Sequence, residues 1–246
     1  MLGPETARDR SQGGPREGSF VKTALAVAHK DLLVELRAKE ILLAMAFFAA
    51  VVVLLFAFAF THEGRANTDA TAGILWIAVA LAGTLGLSRA FEREREGDTL
   101  RALLLAPAPR SAIYVGKLAG IVLLMLVTEA CTVPLVSLLF DAPLLAAERL
   151  PHLWLLLVLG TVGYAAVGSL FGALLARTRG RDILLGILLY PIIVPVLIAG
   201  ARGTEALLAR PLDRATAWFW TELLLVFDTV FITVALWVYE PLMASE

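Results

Sequence analysis

The sequence predicts an all-α integral membrane protein with six transmembrane helices preceded by an N-terminal amphipathic interfacial helix. Three observations predict it. Of the 246 residues, 59% are hydrophobic and only 17% are charged, and the mean hydropathy is +0.80, too apolar for a soluble domain. Six apolar segments meet or approach the ~20 residues a helix needs to cross a ~30 Å hydrocarbon core. Lys and Arg are also shared unequally between the two sides of those segments, as in multi-pass membrane proteins.

In chain order, residues 1–19 (MLGPETARDRSQGGPREGS) are rich in Gly, Pro and charge and are expected to be a disordered cytoplasmic tail. No cleavable signal peptide is evident, because the first apolar segment lacks a small-residue cleavage pattern and others follow it. Val21, Leu25, Ala28, Leu32 and Leu36 then recur at helical spacing opposite Lys22, His29, Lys30, Arg37 and Lys39. A narrow apolar face opposite a basic one predicts a helix lying in the cytoplasmic interface, the alternative being an extension of the first span. Residues 20–240 form one membrane domain, with spans at 41–60, 72–88, 118–140, 153–176, 183–200 and 218–238, and 241–246 form a short cytoplasmic tail. The second and fifth spans are short. Pro191 and Pro195 predict a kink or break in the fifth. In the fourth, Gly160, Gly163, Gly168 and Gly172 make small-residue stripes suited to close helix packing.

The N-terminal segment holds seven Lys and Arg, the 89–117 loop six and the 177–182 loop three, sixteen in all against five on the other side. The positive-inside rule therefore predicts that both termini and the 89–117 loop are cytoplasmic. Arg202, Arg210 and Arg214 are the discordant group. Trp76, Trp154, Trp218 and Trp220 fall near the outer ends of their spans, and Trp237 and Tyr239 near an inner end, as interfacial belts would.

The residue inventory excludes several functions. No GxxxxGK[ST] is present, so nothing in this chain cradles a nucleotide phosphate. No nucleophile and base pattern supports an intramembrane hydrolase, and the chain is not expected to be an enzyme. Cys131 is the sole cysteine, which excludes a disulfide framework and a thiolate cluster. No metal site is expected, and the net charge of −1 gives no sign of a nucleic-acid partner. His29, His62 and His152 lie outside the predicted hydrocarbon core, and His62 and His152 read as solvated loop histidines rather than axial ligands. Glu129 and Asp228 fall near the middle of the third and sixth spans. A carboxylate there must face the bundle interior or a wet cavity, or bond to neighbours such as Thr128, Thr132 or Thr229. It reads equally as the lining of a translocation path or as an interhelical hydrogen bond.

The most informative segment is the charged insert between the second and third spans. Arg89, Glu92, Arg93, Glu94, Arg95, Glu96, Asp98 and Arg101 crowd into one short loop. Gly97 breaks the run, Asp98 or Thr99 can cap a short helix with Leu100, Leu103 and Leu104 on one face, and Pro107 and Pro109 stop it. Mixed-sign charge beside an apolar face suits a complementary protein partner better than lipid alone. Glu92, Arg93, Glu94, Arg95, Asp98, Leu100, Leu103 and Leu104 are the candidate docking residues.

The stretch FEREREGDTLRALLLAPAPRSAIYVGK resembles the CcmB family, the haem-exporter membrane subunits of cytochrome c maturation. The stretch LGTVGYAAVGSLFGALLARTRGRDILLGILLYPIIVPVLIAGA resembles the fourth and fifth spans of the same family. The resemblance covers about residues 20–240. It implies an exporter-type ABC permease that associates with a separate ATPase subunit holding ATP, with other cytochrome c maturation membrane subunits and with a haem chaperone, and that forms a homodimer within the complex. It implies haem as cargo, with no cofactor held firmly by this chain. The insert is then the ATPase-coupling element. No haem-ligand motif of the family maps onto the sequence. Alternative readings are an ABC permease for lipid, polysaccharide or drug, an ion-coupled secondary transporter using Glu129 and Asp228, and a scaffold in an assembly complex.

Overall fold

The computed structural model describes residues 17–62, 65–66, 70–96, 110–175 and 180–244. Among them are seven helices: α1 (Glu17–Ala38), α2 (Glu40–Ala59), α3 (Thr71–Glu96), α4 (Arg110–Leu139), α5 (Leu150–Leu174), α6 (Arg181–Leu208) and α7 (Arg214–Ala244). A minimal antiparallel pair, β1 (Thr61–His62) with β2 (Arg65–Ala66), joins α2 to α3. Helices α2 to α7 are each long and apolar enough to cross a membrane. The chain is a multi-pass membrane protein.

The core of the bundle is α3 and α5, each with 67% of its spanning window buried, whereas α7 has 22%. Small residues bring the two central helices together. A methyl group at Gly160, Gly168 or Gly172 of α5 would overlap Trp76, Leu87 or Phe91 of α3, one below the other. The glycine stripe expected to serve packing does so within the chain, against the large side chains of its neighbour.

Several expected boundaries move outward. The first span, placed at 41–60, is α2 with a one-residue shift. The second, placed at 72–88, runs on to Glu96, because Phe91 to Glu96 are helix-compatible residues with no breaker before Gly97. The third begins at Arg110 rather than 118, since Ala112, Ile113 and Tyr114 are fully buried and Lys117 is buried beside them. The fifth continues past 200 to Leu208, with Thr204, Ala206 and Leu207 on its inward side. No break occurs at Pro191 or Pro195. Both lie within a continuous helix and on its exposed side, as does Pro134 of α4, so no packed neighbour has to accommodate the rings.

Helix α1 shows two faces. Val21, Leu25 and Leu36 of the expected apolar stripe are exposed, as a helix at an interface requires, while Ala24, Val27, Ala28 and Glu35 are buried. The buried face lies on α4, where Gly116 permits the contact: a Cβ there would sit 2.6 Å from the Ala24 carbonyl oxygen. A corner at Lys39, with φ 54°, then turns the chain into α2. Glu35 caps the new helix, its Oε1 accepting from the Leu42 amide at 2.8 Å.

The aromatic belt is smaller than expected. Trp218 and Trp237 are well exposed, but Trp76 is 2% exposed and Tyr239 1%. Trp76 is a core residue: its indole N–H donates to Thr204 Oγ1 of α6 at 3.0 Å, and its ring covers Gly160 and Gly200. Tyr239 packs against Tyr114 with ring centroids 5.1 Å apart and the rings tilted by 46°.

Candidate functional site

The structure carries α3 to the start of the charged insert and holds its exit firmly. Phe91, the residue before the charged run, is 4% exposed. Its ring lies against the bare backbone of Gly172 on α5, and the Lys117 ammonium of α4 stands 5.8 Å from the ring centroid on another side, a cation–π geometry. Asp31 of α1 packs against Gly120, close to Lys117 along α4. Four helices thus converge where the insert begins. Glu92 is half-exposed and accepts from Arg89 at 3.2 Å, one turn back. Arg93, Glu94 and Arg95 continue the helix. Asp98, Leu100, Leu103 and Leu104 lie outside the described residues, as do the rest of 97–109 and the loop residues 176–179.

The two intramembrane carboxylates are both interior, as their cost in hydrocarbon requires. Glu129 is 1% exposed and Asp228 4%. Their partners differ from those expected. Thr128 and Thr132 donate their hydroxyl protons to carbonyls of their own helix, Leu124 O at 3.0 Å and Thr128 O at 2.8 Å. Thr229 does the same to Leu225 O on an exposed face. The donor to Glu129 is instead Thr161 of α5, at 2.5 Å to Oε1, and Oε2 has no hydrogen-bond partner among the described residues. Asp228 has none at either oxygen among them, and its Oδ1 fills the space where a Cβ of Gly163 would stand. Thr161 and Gly163 are two residues apart, about 200° around α5. The carboxylates therefore lie on opposite sides of that helix and do not form one site.

The gap beside Glu129, lined by Met45, Val79, Gly83, Met125, Thr128 and Thr132, is too narrow to hold a water molecule. In this conformation the carboxylate does not line a chamber for a large planar cargo.

A second polar cluster joins α3, α5 and α6. The Thr84 hydroxyl lies 2.6 Å from Tyr164 Oη and 3.0 Å from Tyr190 Oη, and Tyr164 also donates to the Ala80 carbonyl at 2.8 Å. Tyr114 of α4 donates to the Ala166 carbonyl at 2.9 Å. These bonds tie the inner helices together at positions that composition and periodicity do not single out.

His152 is not a solvated loop histidine. It is half-buried at the start of α5, its ring tilted against Trp218 with centroids 4.6 Å apart, and its Nε2 lies 2.9 Å from Thr221 Oγ1 of α7. Thr221 gives its own proton to Ala217 O, so Nε2–H is the donor and that nitrogen is committed to a helix-to-helix bond. His62 lies in β1. Among the described residues, no group of three or more His, Cys, Asp or Glu side chains is placed to hold a metal ion.

Comparison with known proteins matches residues 22–240 to the family described as CcmB protein. Among curated relatives, the chain is 29% identical over 183 residues to Heme exporter protein B of Pseudomonas aeruginosa, covering 74% of this chain and 80% of that protein. It is 34% identical over 189 residues to Heme exporter protein B of Rhodobacter capsulatus, covering 74% and 84%. The protein of that name from Paracoccus denitrificans is 32% identical over 163 residues, covering 66% and 73%. The match runs through every membrane span, the interfacial helix and the charged insert, and the chain belongs to the CcmB protein family.

Proposed function

We propose that this chain is the membrane permease subunit of an ABC transporter complex for haem export or delivery in cytochrome c maturation. A separate subunit hydrolyses ATP, and this chain couples that hydrolysis to haem transfer or to release of a haem-loaded chaperone. The observation that carries the reading is the match of the whole 22–240 region to a family whose curated relatives are called heme exporter proteins. The clamped exit of α3 supports a coupling role for the insert. A stiff helix ending in mixed charge, anchored at Phe91 by α4 and α5, passes displacement of the insert to the bundle rather than absorbing it. In this reading both termini and the insert face the cytoplasm of an inner-membrane protein, as the sixteen-to-five basic bias supports. Two copies stand over a pair of ATPase subunits, with the apolar outer faces of α2 from Leu43 to Phe58 and of α6 from Ile183 to Ile198 available for their contact.

Two features speak against an ion-coupled secondary transporter. Glu129 and Asp228 lie on opposite sides of α5, and the gap beside Glu129 is too narrow for a water molecule in this conformation. The test is isolation of the detergent-solubilised complex with identification of its partners and bound pigment. An ABC ATPase together with haem-handling subunits is the expected result. Recovery with glycan or lipid enzymes in place of haem-handling subunits would overturn the cargo, and transport without any ATPase would overturn the mechanism.

A further inference from the structure

The outer faces of the spans are not alike. On α2, from Leu43 to Phe58, the exposed residues include Phe47 and Leu55, and on α6, from Ile183 to Ile198, they include Ile187 and Val194. All the exposed residues in those two stretches are apolar, which is what lipid or a greasy contact between copies requires. Helix α7 differs. It is the least buried span, and its exposed side carries Glu222, Thr229 and Thr233. Steps of seven and four residues keep all three within about 40° of one line down the helix, over a rise of roughly 16 Å. Leu225 and Val226 flank that line.

The hydrogen-bond pattern defines what the stripe can recognise. Thr229 donates to Leu225 O at 2.8 Å and Thr233 donates to Thr229 O at 2.6 Å, so both hydroxyl protons are already used. Outward, the two threonines present only acceptor lone pairs. An ionised Glu222 is likewise acceptor-only, and no cation pairs with it among the described residues. Polar side chains of this kind join helices within a bilayer when a partner supplies the missing half of each bond.

We propose that this face of α7 is the docking surface for a transmembrane helix of a different subunit. That helix carries a Lys or Arg at the depth of Glu222 and hydroxyl or amide donors two and three turns deeper. A second copy of this chain does not satisfy the surface. A two-fold axis along the membrane normal would set Glu222 against Glu222 and acceptors against acceptors, which repel rather than pair. The inference rests on the reading that the chain works in a multi-subunit membrane complex, but not on how the ATPase is coupled.

Photo-crosslinking tests it. A benzoylphenylalanine replaces Val226 or, for comparison, Leu55 of α2, and adducts formed in the native membrane are sequenced at the crosslink. Val226 is expected to yield an adduct with a different membrane protein, at a helix with the stated donors. Self-adducts at Val226, an adduct with a donor-free helix or lipid adducts alone would overturn the proposal. The combined Glu222→Gln, Thr229→Val, Thr233→Val variant keeps shape and apolarity. It is expected to lower recovery of that partner roughly tenfold while ATPase co-purification is unchanged, which separates failure of this surface from failure of the coupling reading. Unchanged partner recovery in the triple variant would also overturn it.

Discussion

Replacing Gly172 with alanine should loosen the junction between insert and bundle although it adds only one methyl group. Built on the α5 backbone, that Cβ overlaps the Phe91 ring, with Cδ2 at 2.6 Å and Cζ at 2.7 Å as well as the nearer Cε2. The ring has little room to retreat, since Phe91 is buried and Lys117 occupies another side. Overpacking of this kind costs about 1–3 kcal/mol, a factor of roughly 5 to 150 in an equilibrium. Two other glycines provide internal controls. A Cβ at Gly73 or Gly186 meets nothing within 4 Å, so alanine there should be harmless or slightly stabilising through helix propensity. Thermal unfolding in detergent and ATP hydrolysis by the reconstituted complex are the assays. The expected result is a lowered Tm and weakened coupling for Gly172→Ala, partly restored by adding Phe91→Leu, with Gly73→Ala and Gly186→Ala near wild type. If Gly172→Ala matched Gly186→Ala in both assays, the clamp at Phe91 would have no mechanical role.

Removing the hydroxyl donor of Glu129 with Thr161→Val should cost about 1–3 kcal/mol, because a buried acceptor loses its bond, whereas Glu129→Gln keeps an acceptor for Thr161 and should cost less. Equal thermal stabilities of the two variants would contradict the assigned pair. At the corner before α7, the Thr216 hydroxyl and amide hold the Asp213 carboxyl below the usual carboxylate range. A depressed folded value means that the cap's contribution is complete above the ordinary aspartate pKa and fades as pH falls through the lower folded one. Protection of the Thr216 amide, its exchange rate relative to the intrinsic rate at the same pH, should therefore fall on that acid side, and Asp213→Asn should flatten the dependence; an unchanged profile would contradict the cap. For orientation, a cysteine replacing Glu94 should react only from the cytoplasmic side and one replacing Asn67 only from outside. The reverse pattern would invert the topology.

The long spans were legible in the sequence because each is an apolar run whose length alone satisfies the bilayer. Their ends were not, since Lys117, Arg202 and the FERERE run look like loop residues until packing shows Lys117 buried between helices and the others continuing a helix outward. Residue type also misled at Trp76, where an outer-end tryptophan suggested a belt, and only two glycines from different helices make its burial possible. Glu129 and Asp228 could be placed inside the bundle from their cost in lipid. The Thr161 donor and the separation of the two carboxylates by α5 depend on the rotation of helices about one another, which periodicity does not set. Glycines indicate close packing in the sequence, as the stripe in the fourth span does, but not which helix packs there. Gly116 and Gly120 of α4 mark its junction with α1, and Gly172 of α5 marks the junction with α3, and each identifies its neighbour only once the side chain opposite is known.

The most direct test of the coupling account is co-purification of the ATPase, with ATP hydrolysis by the reconstituted complex, in a Leu103→Asp, Leu104→Asp double variant. If an apolar face of the insert seats in a groove on the ATPase, the two carboxylates would be buried there without partners. Reversal of a single charge such as Glu94→Lys changes an exposed pair, which contributes about 0–1 kcal/mol. The double variant should insert normally but lose the ATPase or its coupled hydrolysis, while Glu94→Lys should retain both. Full retention of both by the double variant would contradict the account and remove the insert from the coupling path.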